Sequence, residues 1–97
     1  MKNQTEKLKD VKNAVETALE LKDISHKTRI DEFCMARQIF VLVSFKRVSV
    51  NHTLIMGCIG RSRSGFFHIH KQAKDLIASS KMYRDIYSSI LNELKLN

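Results

Sequence analysis

The residues that break regular structure are confined to one place. The chain has no proline, and its three glycines, Gly57, Gly60 and Gly65, lie within nine residues of one another. Proline and glycine are the strongest punctuation a sequence has, so 97 residues without other breaks imply long regular elements on either side of one tight turn. A chain of this length builds a single domain, and every element must contribute apolar surface to one modest core. With 43% hydrophobic and 28% charged residues the balance is that of a globular protein, not a disordered one.

Hydrophobic spacing supplies the elements. In residues 5–21, Leu8, Val11, Ala14, Val15, Ala18 and Leu19 recur three and four apart among good helix formers, which predicts an amphipathic helix. Asp23 to Thr28 is a polar break. Asp31 is placed to cap a second helix running to about Lys46, on which Phe33, Ala36, Arg37, Phe40 and Val43 stack. The same stretch contains Ile39-Phe40-Val41-Leu42-Val43-Ser44-Phe45, whose β-branched and aromatic content reads equally as a buried strand. On the residues alone both readings stay open. Ser49 or Asn51 would cap a short helix to about Ile59, ended by Gly60. A longer helix follows from Ser62 or Ser64 to about Ala78, with Phe67, His70, Lys71 and Lys74 at helical spacing and Ile69, Ala73, Leu76 and Ile77 inward. Ser79 or Ser80 caps a last amphipathic helix carrying Tyr83, Ile86, Tyr87, Ile90, Leu91 and Leu94.

The net charge of +7 is unevenly placed. Residues 1–25 and 75–97 are each neutral. The excess lies in residues 26–74, where Lys27, Arg29, Arg37, Lys46, Arg47, Arg61, Arg63, Lys71 and Lys74 are opposed only by Asp31 and Glu32. A positive field concentrated in one stretch suits a polyanion, because each neutralised phosphate releases counterions. A short helix, a tight turn and a longer basic helix is also the arrangement that lets a recognition helix enter the major groove. The turn reads Gly60-Arg61-Ser62-Arg63-Ser64-Gly65: hydroxyls can bond phosphate oxygens, and arginine forks onto phosphate or guanine. The expected recognition helix spans about 62–78.

Other chemistries find little support. No apolar run approaches the roughly 18 residues that span a bilayer. The polar start, Met1-Lys2-Asn3-Gln4-Thr5-Glu6, does not resemble a secretion signal, so a cytoplasmic, nucleoid-associated protein is expected. Cys34 and Cys58 are read as reduced packing residues with no base placed to activate them. His68-Ile69-His70 lacks a third metal ligand at suitable spacing, and residues two apart on a helix diverge. Tyr83 and Tyr87 are read as core, and Asp31-Glu32 as a helix start. Neither enzymatic activity nor a cofactor or metal is expected.

From Arg29 to Ile77, and as far as Leu94 by helix length, the sequence resembles the C-terminal DNA-binding domain of the bacterial chromosomal replication initiator DnaA. The residues that carry the resemblance are Arg29 followed by Glu32, then Ala36-Arg37-Gln38-Ile39, and Gly60-Arg61 leading to His68. It implies an all-α bundle of about five helices containing a helix-turn-helix (Trp repressor-like), with Ile39–Phe45 helical. By position it implies that Arg29 reaches a minor groove and that Arg37 and Gln38 hold backbone phosphate. Arg61, Ser62, Arg63 and Ser64 would supply base and phosphate contacts, and His68 would read the major groove. Lys46 and Lys71 on the basic stretch would hold further phosphates. The family's turn is Gly-Gly-Arg-Asp-His-Ser/Thr-Thr. Here one glycine is missing and Ser62, Arg63, Ser64 and Gly65 occupy the reading positions, which implies altered specificity. There is no Gly-Lys-Ser/Thr phosphate loop, so no nucleotide is expected.

The expected organisation is an N-terminal amphipathic helix over 1–24 and a helix-turn-helix domain over 25–97. The expected function is sequence-specific binding of double-stranded DNA, in replication initiation or transcriptional regulation, with no membrane contact. Self-association through the N-terminal or C-terminal helix fits the paired-charge amphipathic faces. The competing expectation is a helical protein-interaction module whose basic face meets an acidic partner.

Overall fold

The computed structural model describes residues 3–25 and 31–94. Five α-helices follow in order: α1 (Gln4–Leu19), α2 (Asp31–Arg47), α3 (His52–Cys58), α4 (Phe66–Ser79) and α5 (Lys81–Leu94). A single 3-10 turn, Arg63–Gly65, leads into α4. No strand occurs among the described residues, so the fold is an all-α bundle.

Helix α2 is its axis. Ala36, Arg37 and every residue from Ile39 to Ser44 are buried, because α1, α3, α4 and α5 all pack against it. A helix enclosed on all sides loses its polar stripe. That is why Ile39–Phe45 imitates a strand: enclosure removes the helical alternation, and packing of β-branched side chains outweighs their modest helix penalty. Of the two readings the sequence left open, helix is the one the protein adopts.

Helix α1 joins the same core through Leu8, Val11 and Val15, alongside Phe40, Ile55, Phe66 and Ile90. Its start is capped by Asn3, whose Oδ1 accepts from the Glu6 amide at 2.9 Å. Its end is a Schellman turn: the Leu21 amide reaches the Glu16 carbonyl at 2.9 Å and the Glu20 amide reaches Thr17 at 3.3 Å. Glu20 holds the left-handed position, with φ 56°, where glycine is usual. The chain then returns towards the core at Ile24, which is fully buried. The Ile24 amide donates to Glu16 Oε2 at 3.0 Å, and Lys12 bridges Glu16 at 3.5 Å and Asp23 at 3.0 Å. Hydrogen bonds from the Ser25 hydroxyl, and then the Lys12 ammonium, hold the Asp23 carboxyl well below the usual carboxylate range.

The remaining boundaries follow local signals. Asn51 caps α3, its Oδ1 accepting from the Leu54 amide at 3.1 Å. After α3 a second Schellman turn forms: the Arg61 amide reaches Met56 at 2.9 Å and the Gly60 amide reaches Gly57 at 3.1 Å. Gly60 supplies the left-handed residue, with φ 66°. Ser80 rather than Ser79 caps α5, accepting from the Tyr83 amide at 3.3 Å. The Ser79 hydroxyl turns back to the Asp75 carbonyl at 2.9 Å. Among the described residues, no helix is long and apolar enough to cross a membrane.

Candidate nucleic-acid interface

The segment between α3 and α4 makes two successive turns. Gly60 reverses the chain out of α3, and Ser62 then lies extended before the 3-10 turn, which closes with the Gly65 amide on the Ser62 carbonyl at 3.2 Å. Helix α4 proper starts at Phe66, later than the Ser62 or Ser64 expected from sequence. The Ser62 and Ser64 hydroxyls are 2.8 Å apart, and both side chains are exposed together with Arg63. Ser62, Arg63, Ser64 and Phe67 line one open depression.

The two sides of α4 differ sharply. Phe66 and Ala73 are buried, and Ile69, Leu76 and Ile77 pack against the core. On the outward side Phe67, Lys71 and Lys74 are exposed at i, i+4 and i+7, which places them in one stripe. His68 lies beside this stripe, one turn away from Gln72, with Asp75 at i+7 as the acid on that part of the helix. Lys46 and Arg47 are exposed at the end of α2, and Lys46 lies near enough to α4 for its charge to act on His70.

Phe67 also belongs to a cluster of five rings, the other four of which lie beneath the stripe. His52 of α3 stacks on Phe66 of α4, centroids 3.8 Å apart and planes 9° from parallel. Phe45 meets Phe66 and His70 edge-on, each at 5.1 Å. Phe67 stands perpendicular to both members of the stack, 5.2 Å from His52 and 5.4 Å from Phe66. These contacts fix the rotation of α4 about its axis and bind α3 to it. Burial, then the charges of Lys74 and Lys46 and the neighbouring His52, push His70 below the ordinary histidine value of 6.5. His70 is therefore a neutral packing group at pH 7. His68 and His70 diverge, one exposed and one against Phe66. Among the described residues no group of three His, Cys, Asp or Glu side chains could hold a metal ion.

The residues singled out from sequence divide into three groups. Lys46, Ser62, Arg63, Ser64, His68 and Lys71 are all exposed, and all but Lys46 lie on the turn and α4. Arg29 lies outside the described residues. Arg37, Gln38 and Arg61 are engaged by the protein itself. The Arg37 guanidinium is turned into the body, the residue only 6% exposed, with Nη1 donating to the Ile24 carbonyl at 3.1 Å. This burial does not suit the phosphate contact expected of it. Gln38 is half-buried: its Nε2 donates to Gln72 Oε1 at 3.2 Å, and its Oε1 accepts from the Tyr83 hydroxyl. Tyr83 is core, and burial raises its phenol to about 12. Arg61 lies along the loop, with Nη1 near the carbonyls of Ser25, Ile59 and Gly60 at 3.4–3.5 Å.

The sequence set Phe67 and Lys74 with Lys71 at helical spacing but gave these two no contact, and it did not mark His52 as part of this surface. One signal for Phe67 was present. With Phe66 at the core position, Phe67 points about 100° away from it, towards the face that carries Lys71 and Lys74. Cys34 and Cys58 are both half-buried and in no disulfide, and burial pushes the Cys58 thiol up. Comparison with protein-family models, with curated proteins and with solved structures gives no match.

Proposed function

We propose that the protein binds double-stranded DNA through a helix-turn-helix formed by α3, the turn at Gly60 and α4, with α4 as the recognition helix. The observation that carries this reading is the sidedness of the turn and α4. Arg63, His68, Lys71 and Lys74 are exposed on the turn and outward side of α4, with Lys46 nearby, while the opposite side of α4 is fixed to the core by the ring stack. A helix held rigidly from behind and cationic in front matches a groove bounded by phosphates. In this reading Lys46, Lys71 and Lys74 hold phosphates and set the register. Arg63 and His68, nearer the start of α4, meet base edges. Ser62 and Ser64 add hydroxyl donors at the turn. By resemblance, Arg29 would reach an adjacent minor groove. A role in replication initiation or transcriptional regulation follows from the same likeness. The protein needs no catalytic group or cofactor for this task.

The test is fluorescence anisotropy of a labelled random duplex titrated at low and moderate salt. The three lysine–phosphate contacts give a log–log salt slope of about −2.7, at about 0.9 per phosphate, and roughly a fortyfold loss of affinity between about 50 and 200 mM salt. No duplex binding at the lower salt overturns the proposal. Binding of an acidic polypeptide in its place would assign the basic face to a protein partner.

A further inference from the structure

Phe67 is the one large apolar side chain exposed on α4, at 69%. Nothing in the fold requires it there, since Phe66 already fills the core position beside it. It is nonetheless held: it stands beside the His52–Phe66 stack, nearly equidistant from the two rings and perpendicular to both. It shares an open depression with Arg63 and the two serine hydroxyls. Lys71 and Lys74 follow it along the same stripe. An apolar ring is thus presented at the second residue of the helix, bracketed by cations on both sides.

We propose that Phe67 reads thymine, by packing its exposed ring against the C5-methyl group in the major groove. This rests on the duplex reading of the α4 surface. The argument is one of chemical matching. Cations before and after Phe67 would be drawn to phosphates on either side of the groove and bring the first turn of α4 to the base edges. A ring has no donor or acceptor for the polar edges found there. The thymine methyl is the apolar feature that the four base pairs offer in that groove. Immobilisation by the stack lowers the entropy lost on contact.

The experiment uses the whole chain and a preferred site selected from random duplexes. Each thymine of that site is replaced in turn by deoxyuracil, which removes the methyl and preserves pairing. One or two positions should lose about three- to fivefold in affinity, the value of one buried methyl. Phe67→Ala should abolish that penalty, and Phe67→Leu and Lys71→Ala should retain it. Circular dichroism melting of each variant establishes that the fold persists. Duplex binding with a flat deoxyuracil scan, or a penalty unchanged in Phe67→Ala, overturns this inference alone. So does preference for single strands lost equally in Phe67→Ala and Phe67→Leu, which would make the ring a stacking platform. No duplex binding by the unsubstituted protein overturns the duplex reading and this inference together.

Discussion

Arg37→Ala separates a structural role for this arginine from a DNA-contacting one. The guanidinium is buried against Ile24, with Nη1 3.1 Å from the Ile24 carbonyl and Nη2 3.6 Å from Cys34 Sγ. Alanine removes both donors, deprives the Ile24 carbonyl of this partner and vacates the space of the side-chain stem. A hydrogen bond from a charged donor contributes about 1.5–3 kcal/mol, and lost packing of the stem adds about 1 kcal/mol. The expected destabilisation is about 3 kcal/mol. With an unfolding entropy of roughly 0.2 kcal/mol/K for a chain of this size, Tm should fall by roughly 15 °C. Arg37→Lys keeps the charge without the fork and should also melt early. Far-ultraviolet circular dichroism measures the melting. Anisotropy well below the transition should give DNA affinity and salt slope equal to those of the unsubstituted protein. A variant that melts within about 2 °C of the parent yet loses about 1 from the salt slope would refute the reasoning, because a phosphate contact has that signature.

Four other outcomes are expected. Ser44→Ala should raise stability by about 1 kcal/mol in urea denaturation, since the Ser44 hydroxyl is buried without a hydrogen-bond partner; a loss would show that the hydroxyl is satisfied. Glu20→Gly should raise it by about 0.5–1 kcal/mol, because φ 56° strains any side chain, and unchanged stability would count against that conformation. His70 titrates below its ordinary value of 6.5 when folded, so the unfolded chain binds the proton first. Its contribution to stability is complete above that pH and is lost as pH falls from about 6.5 towards the folded value; His70→Gln should flatten this slope, and an unaltered slope would assign it elsewhere. Arg63→Ala and His68→Ala should weaken binding to a selected site more than to random duplex, whereas Lys71→Ala should weaken both alike; equal losses for all three would sink the division of roles.

How much of the fold was legible depended on how local its causes are. The caps of α3 and α5 were readable because Asn51 bonds an amide three residues on and Ser80 does the same. Gly60 was readable because a left-handed residue at a helix end favours glycine. The end of α1 hides the same turn behind Glu20, where tertiary context overrides preference. The core helix α2 was ambiguous because its enclosure comes from four other helices, none of which its own residues can announce. The start of α4 was misplaced by a few residues because Ser62–Gly65 spend them in an extended residue and a 3-10 turn.

The surface was legible in its charge and not in its assignments. Lys46, Arg63, His68 and Lys71 emerge exposed, since charged and polar side chains favour water. Arg37 and Gln38 stand in the same basic stretch but are claimed by partners far along the chain, Ile24 for one and Gln72 with Tyr83 for the other. Composition cannot tell these two cases apart, because a buried arginine and a free one contribute the same formal charge. The distinction comes from packing. Phe66, clamped between α2 and α3 by Phe45 and His52, sets the rotation of α4, and that rotation decides which of its side chains share a face. The same clamp leaves Phe67 outside. The interior thus determines what the exterior presents: the residue that fills the core at position 66 makes its neighbour an exposed ring among cations, and gives that ring a fixed direction.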